Sequence, residues 1–213
     1  MNGWIPFAVV FVTACGLALI ITPVAGRLGL RYGIADRPGG RRRHRGVISR
    51  LGGVALYLAF TAAVLISLPL RSRLPPGALG PDPKEMTRLT ALLVGSAFIF
   101  LFGLFDDRYE LSPTWLYLGQ IIAALIAIAG LVFIERVMNP FTNELTVFPW
   151  PLVIGFTLFW YVGMMNTVNF LDGLDGLAAG VAAITAAVLT LHMLREGQYS
   201  VALLPLALVG ATL

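Results

Sequence analysis

Apolar residues along this chain come in long unbroken blocks, not at the spacing of a single helix face or strand face. No Asp, Glu, Lys or Arg interrupts Trp4 to Gly26, Gly52 to Leu70 or Leu89 to Phe105. The same is true of Leu111 to Ile134, Leu145 to Leu171, Leu177 to Leu194 and Tyr199 to Leu213. An α-helix needs roughly 20 such residues to cross the hydrocarbon core of a bilayer. The blocks therefore predict an all-α fold, a polytopic transmembrane helical bundle of about seven spans. The last block is still running at Leu213, with no polar tail behind it. The expectation is a single integral membrane domain over residues 1–213, roughly the amino-terminal two-thirds of a longer protein.

Composition agrees with the pattern. Of the 213 residues, 58% are hydrophobic and 12% charged, about half the charge of an ordinary soluble domain. No basic residue precedes the first block, which is also longer than a signal-peptide core, so it reads as a retained span. Cys15 is the one cysteine and lies in that span, where packing is the expected role and no intrachain disulfide can form. Trp4, Tyr57, Trp115, Tyr117, Trp150 and Trp160 fall near block ends, where interfacial anchoring and helix packing both suit them.

Charge then sets the orientation. If the connections alternate sides, one face receives segments 26–51, 106–110 and 172–176. That face holds Arg27, Arg31, Arg37, Arg41, Arg42, Arg43, Arg45, Arg50 and Arg108. The other holds Arg71, Arg73, Lys84, Arg88, Arg136 and Arg195. The positive-inside bias puts the first face in the cytoplasm and the amino terminus outside. Asp36, Asp106, Asp107, Glu110, Asp172 and Asp175 share the cytoplasmic face, so three segments distant in sequence bring carboxylates and arginines to one membrane surface. On the other side, residues 71–88 read as a Pro/Gly-rich connector, and residues 135–150 have room for a short hairpin around Asn143.

Three constellations bear chemistry. Asp106-Asp107-Arg108 closes the third span. Adjacent carboxylates at a membrane boundary are costly without a nearby cation, so the pair suits magnesium or phosphate handling, while a solvated turn between helices remains open. In Asn166-x-x-Asn169-x-x-Asp172-x-x-Asp175, four polar groups recur every third residue among Met, Val, Phe and Leu. On a continuous helix Asn166 and Asp175 would point to opposite faces. Gly173 and Gly176 allow the chain to leave the helix and fold the aspartates back. Oxygen ligation of magnesium, hydrogen bonds to a base or sugar, and simple helix capping all fit these residues. The third is the arginine loop Asp36 to Gly53, with His44 among its arginines. It sets topology and attracts anionic lipid, and its arginines are also suited to bidentate phosphate binding. His192, near the outer end of the sixth block, is expected to pack.

Together, DRPGGRRRHRGVISRLGG, FGLFDDRYELSPTWLYLGQ and NTVNFLDGLDGLAAG resemble the successive cytoplasmic signatures of the polyprenyl-phosphate N-acetylhexosamine-1-phosphate transferases, in the same order and over essentially the whole chain. The stretch from the aspartate pair through Leu111 to Gln120 looks more like the UDP-N-acetylglucosamine branch than the muramoyl-pentapeptide branch. The resemblance implies transfer of a sugar-1-phosphate from a UDP-N-acetylhexosamine to undecaprenyl or decaprenyl phosphate, with release of UMP. Such a reaction opens assembly of an envelope polysaccharide such as lipopolysaccharide or teichoic acid. It implies magnesium, or manganese in its place, with Asn169 as a metal ligand and Asp106 and Asp107 against the metal and the lipid phosphate. Asp172, Asp175 and Asn166 would build the nucleotide-sugar pocket, and His44, Arg43 and Arg50 would hold phosphate. Expected surroundings are the lipids of the inner (plasma) membrane, with the active face cytoplasmic, no nucleic-acid partner, and a homodimer as one open assembly.

The chain departs from the family pattern in three places. Ser49 stands where proline is usual, and no basic residue lies near Thr114 or Trp115. A later Gly-Asp-x-Gly segment and a histidine-rich segment are absent from these residues, so the 213-residue piece alone is expected to be inactive. A transporter would need ionisable groups near span midpoints. The midpoints here are apolar, which ranks transport below the enzyme; a non-catalytic scaffold is the third reading.

Overall fold

A computed structural model of the chain describes residues 3–36, 48–77 and 82–213. Its elements in order are α1 (Ile5–Arg31), β1 (Ala35–Asp36), β2 (Ile48–Ser49), α2 (Gly52–Leu70) and a 3-10 turn (Arg71–Arg73). There follow α3 (Glu85–Tyr109), α4 (Pro113–Ala129), β3 (Arg136–Met138), β4 (Leu145–Val147), α5 (Trp150–Leu171), α6 (Leu177–Arg195) and α7 (Tyr199–Thr212). Each apolar block has become one helix. Five of the helices are long and apolar enough to cross a membrane, whereas α4 and α7 are apolar but shorter. The block at Leu111–Ile134 yields only 17 helical residues because Leu131 turns left-handed (φ 66°). Val132 N–H then bonds back to Ala127 O, closing the helix end. Other helices outrun their blocks: α1 takes in Arg27 and Arg31, and α3 takes in Asp106, Asp107 and Arg108. The hairpin anticipated around Asn143 is present, with β3 and β4 antiparallel and Asn143 left-handed at φ 55°.

Burial is inverted relative to a water-soluble protein. Ala14, Ala55, Ala59, Ala63, Ala202 and Ala207 are fully or almost fully enclosed. Large side chains instead face outward: Ile20, Phe159, Phe170 and Ile184 are all at least 66% exposed. Against lipid there is no penalty for exposing Leu, Ile or Phe, and helices associate by letting small residues bring their backbones close. This is a multi-pass membrane protein.

The chain divides into two compact units. One comprises Met1–Pro81 with Leu174–Leu213, the other Asp82–Gly173. In the first, α1 packs on α2 and α7, and α6 packs on α7. Helix α2 contributes Ala55, Ala59, Ala63 and Ser67, one small buried residue every fourth position. Tyr199 of α7 meets Trp4 and Phe7 at the start of α1, ring centroids 6.3 and 6.4 Å away. Further along, Gly210 of α7 meets Phe11 and Ala14, so α7 runs parallel to α1. A tight turn at 196–198 reverses α6 into α7, which places the start of α6 at the end of this unit where α1 finishes.

In the second unit, α4 packs against both α3 and α5. Gly119 accepts the ring of Phe102, and Gly130 lies on Ala91. Partners that rise on α4 as they fall on α3 mark an antiparallel pair. Helix α5 is antiparallel to α4 in turn: Gln120 meets Asn166, while Ile134 N–H, just beyond α4, donates to Thr157 Oγ1 at 3.0 Å.

A Cβ on Gly210 would stand 2.7 Å from the Phe11 carbonyl oxygen and 2.8 Å from Ala14 Cβ, and the backbone atom has little room to retreat. Gly210→Ala should therefore destabilise the first unit by about 1–3 kcal/mol. Gly16→Ala on α1, with nothing within 4 Å of its Cβ position, should not. Thermal unfolding of the detergent-solubilised protein compares the two.

Candidate active site

The antiparallel order in the second unit gathers one end of it: the finish of α3, the start of α4 and the finish of α5. These termini carry the sequence-nominated groups Asp106, Asp107, Asn166, Asn169 and Asp172. No long side chain is needed to bring them to one level; the up-down-up path of three helices does so.

At the α3 end the chain reverses through Glu110, which adopts φ 50°. Asp106 secures the reversal twice. Its carbonyl oxygen accepts Glu110 N–H at 2.8 Å, and its Oδ1 accepts Leu111 N–H, also at 2.8 Å. A carboxylate at a helix carboxyl end opposes the helix dipole, and the turn's amides partly offset that cost. Asp107 follows by about 100° around the axis and so addresses a different direction. Both aspartates are half-buried. Arg108 extends over Tyr109, its guanidinium carbon 5.8 Å from the ring centroid, and Tyr109 in turn packs on Phe105 at 4.3 Å. The pair expected to close the third span thus lies inside that helix's last turn.

At the α5 end, Asn169 and Asp172 are exposed, while Asn166 is half-buried one turn earlier. Asp172 caps the helix, its N–H reaching Asn169 O at 3.3 Å. Asn166 is engaged from α4. Its Nδ2 donates to Gln120 Oε1 at 2.6 Å and to Val162 O at 2.8 Å. Gln120 Nε2 donates back to Asn166 Oδ1 at 3.4 Å. Gln120, only 9% exposed, was not nominated from sequence beyond closing a motif. The available signal was a lone primary amide in an otherwise apolar helix.

The turn at 172–176 leaves helical geometry through Gly176, at φ 76°, whereas Gly173 shows no positive φ. Of the two glycines expected to release the chain, Gly176 is the one in the left-handed region. Asp175 is exposed just before α6 and belongs to the first unit, as does Arg50. Within that unit both lie at the end where α1 finishes. There Arg50 N–H bonds Ile34 O at 3.1 Å, and β1 pairs with β2. Ser49, in place of the usual proline, donates to Ala25 O at 3.5 Å and accepts Leu51 N–H at 3.2 Å. Gly29 leaves the space Ser49 occupies. Arg43 and His44 lie outside the described residues.

Among the described residues, no three His, Cys, Asp or Glu side chains come together as a ready metal cage. Magnesium does not require one. It keeps several waters and is commonly held by one or two carboxylates plus substrate phosphates. The hard oxygen donors at this end of the second unit fit that mode of binding.

Residues 89–213 match glycosyl transferase family 4, and the chain belongs to that family. Similar curated relatives include the probable undecaprenyl-phosphate N-acetylglucosaminyl 1-phosphate transferase of Bacillus subtilis, 31% identical over 98% of this chain and 54% of the relative. The decaprenyl-phosphate N-acetylglucosaminephosphotransferase of Mycolicibacterium smegmatis is 33% identical over 97% of this chain and 50% of its own. The undecaprenyl-phosphate alpha-N-acetylglucosaminyl 1-phosphate transferase of Yersinia pestis is 25% identical over 88% and 47%. The chain spans about half the length of the curated relatives it matches.

Because Asp106 Oδ1 holds the turn, Asp106→Asn keeps the acceptor and removes a charge the helix dipole disfavours. Its stability should equal or slightly exceed the parent's. Asp106→Ala loses the bond and should cost about 1 kcal/mol. Thermal melts of the two variants read the difference.

Proposed function

We propose that the complete protein transfers N-acetylglucosamine-1-phosphate from UDP-N-acetylglucosamine to a polyprenyl phosphate and releases UMP. Membership of the family supports this reading. The observation that carries it is the arrival of the α3 carboxylates and the α5 amide and carboxylate at one end of a three-helix unit. Oxygen donors at a helix-end rim of a membrane protein suit a reaction between a water-soluble diphosphate and a lipid phosphate. By the positive-inside bias, the arginines at the finish of α1 and beyond it in sequence support a cytoplasmic active face.

In the reaction, an oxygen of the lipid phosphate attacks the sugar-bearing phosphorus. That P–O bond forms as the bond to the bridging oxygen breaks, and UMP departs with the bridging oxygen and its electron pair. Phosphoryl chemistry of this kind depends on positioning and charge neutralisation. Magnesium, when bound, would neutralise charge on the diphosphate. Asn169 Oδ1 and the Asp107 carboxylate are the groups we assign to hold it. Asp106, with one oxygen committed to Leu111 N–H, fixes the turn from which Asp107 projects. Asp107 would orient the attacking lipid phosphate and take any proton it carries. Asp172 and Asp175 directly precede Gly173 and Gly176 and would accept hydrogen bonds from the nucleotide or sugar. Arg50, Arg43 and His44 would hold phosphate.

Membranes carrying the complete gene product should release UMP from UDP-N-acetylglucosamine only when polyprenyl phosphate and magnesium are both present. Asp107→Ala and Asn169→Ala should each lower turnover at least about 100-fold, near 2.7 kcal/mol of barrier. Undiminished turnover in either variant would remove the role given to that residue. Release from UDP-N-acetylmuramoyl-pentapeptide alone would move the protein to the other branch.

A further inference from the structure

The pairing of Gln120 with Asn166 carries an inference that rests on the transferase reading and deepens it. Gln120 sits in α4 between Gly119 and Ala123–Ala124, all buried, in a helix otherwise built of apolar side chains and small residues over its inner length. An amide buried there without partners costs roughly 2–7 kcal/mol. Both of its polar atoms meet Asn166. Asn166 is more constrained still. One Nδ2 hydrogen goes to Val162 O and the other to Gln120 Oε1, which exhausts its donors. The bond to Val162 O also fixes which way the Asn166 amide faces. With both hydrogens used inside the protein and Oδ1 turned toward Gln120, Asn166 has no donor left for a nucleotide or sugar.

We infer that Gln120 and Asn166 form a positioning latch, neither touching substrate, that sets the terminal turns of α5 against α4. The latch is placed to do this. Asn169 is three residues beyond Asn166, about 4.5 Å further along the axis and about 60° around it. Gln120 is seven residues beyond Pro113, where α4 begins after the turn that Asp106 secures. One amide pair thus fixes the height and rotation of the Asn169 turn relative to the helix that follows the aspartates. Amides suit the task because they lock two helices without burying charge. Non-polar side chains would permit sliding.

The test is a double-mutant cycle on the complete gene product, purified in detergent, read by UMP release from UDP-N-acetylglucosamine and by thermal melting. Gln120→Leu and Asn166→Ala should each lower kcat about 10- to 100-fold with KM for the nucleotide sugar changed less than about threefold. The double variant should be no worse than the weaker single, since the two act as one unit. The exchange Q120N/N166Q keeps both hydrogen bonds and the summed side-chain length, and should recover kcat to within about threefold of the parent. Multiplicative losses, a selective rise in KM for Asn166→Ala, or no recovery on exchange would show Asn166 acting on substrate directly and overturn the latch. Lowered melting temperatures with unchanged kcat would also overturn it, leaving an ordinary packing contact. If the parent releases no UMP, the transferase reading fails and the positioning role fails with it. The pairing is then judged separately: additive losses of melting temperature in the two single variants would exclude it as well.

Discussion

A polar group inside hydrocarbon must find its partner within the protein, because neither water nor lipid tail will serve. Much of the arrangement of this chain follows from that constraint. Several hydroxyls within the helices bond back to their own backbone: Thr22 to Ala18 O, Ser67 to Val64 O, Ser96 to Leu93 O, Thr190 to Ala186 O, while Thr61 Oγ1 in α2 is buried without a partner among the described residues. Thr157 instead reaches out of its helix and accepts Ile134 N–H, satisfying an amide left open where α4 gives way to the hairpin. A charged carboxylate costs more to enclose than a hydroxyl. Carboxylates collect at helix ends, and the antiparallel path of α3, α4 and α5 makes several of those ends coincide.

The same constraint decides how helices touch. With no water to expel, large apolar side chains gain little by facing inward, and close approach of backbones is the available source of attraction. Alanine and glycine therefore occupy the contacts, and Phe, Ile and Leu face out. A framework of this type has shallow grooves and slides easily. An interhelical amide pair fixes register where alanine ridges do not. This is the physical reason a membrane enzyme would place glutamine opposite asparagine two turns below its reacting end.

The seven helices were legible because charge-free length is a robust signal, and the meeting of Asp106, Asp107, Asn169 and Asp172 at one end followed from counting alternations. Boundaries were less legible. A charged residue need not end a helix, since Arg27, Arg31 and the Asp106–Arg108 triplet are all helical. Nor must an apolar residue continue one, as left-handed Leu131 demonstrates. Gly173 and Gly176 look alike in sequence, yet only Gly176, directly before α6, takes the left-handed conformation. Least legible was the partner of Asn166. It lies 46 residues away, and its identity depends on how α4 is rotated against α5, which no local pattern encodes.

The distribution of ionisable groups also separates two kinds of membrane protein. A transport path needs titratable or coordinating side chains part-way along its helices, each facing a water-filled route. In α5 the amides and the carboxylate begin at Asn166 and run from a half-buried amide already spent on a neighbour to the exposed Asn169 and Asp172. In α3 the carboxylates lie at the two ends, Glu85 in the first turn and Asp106 and Asp107 in the last, with none between. That gradient leads to a surface and stops there, so groups arranged in this way meet a ligand arriving from water at the membrane's edge. On the proposed function, a lipid phosphate held at the same depth by its own chain would meet such a rim at the right height.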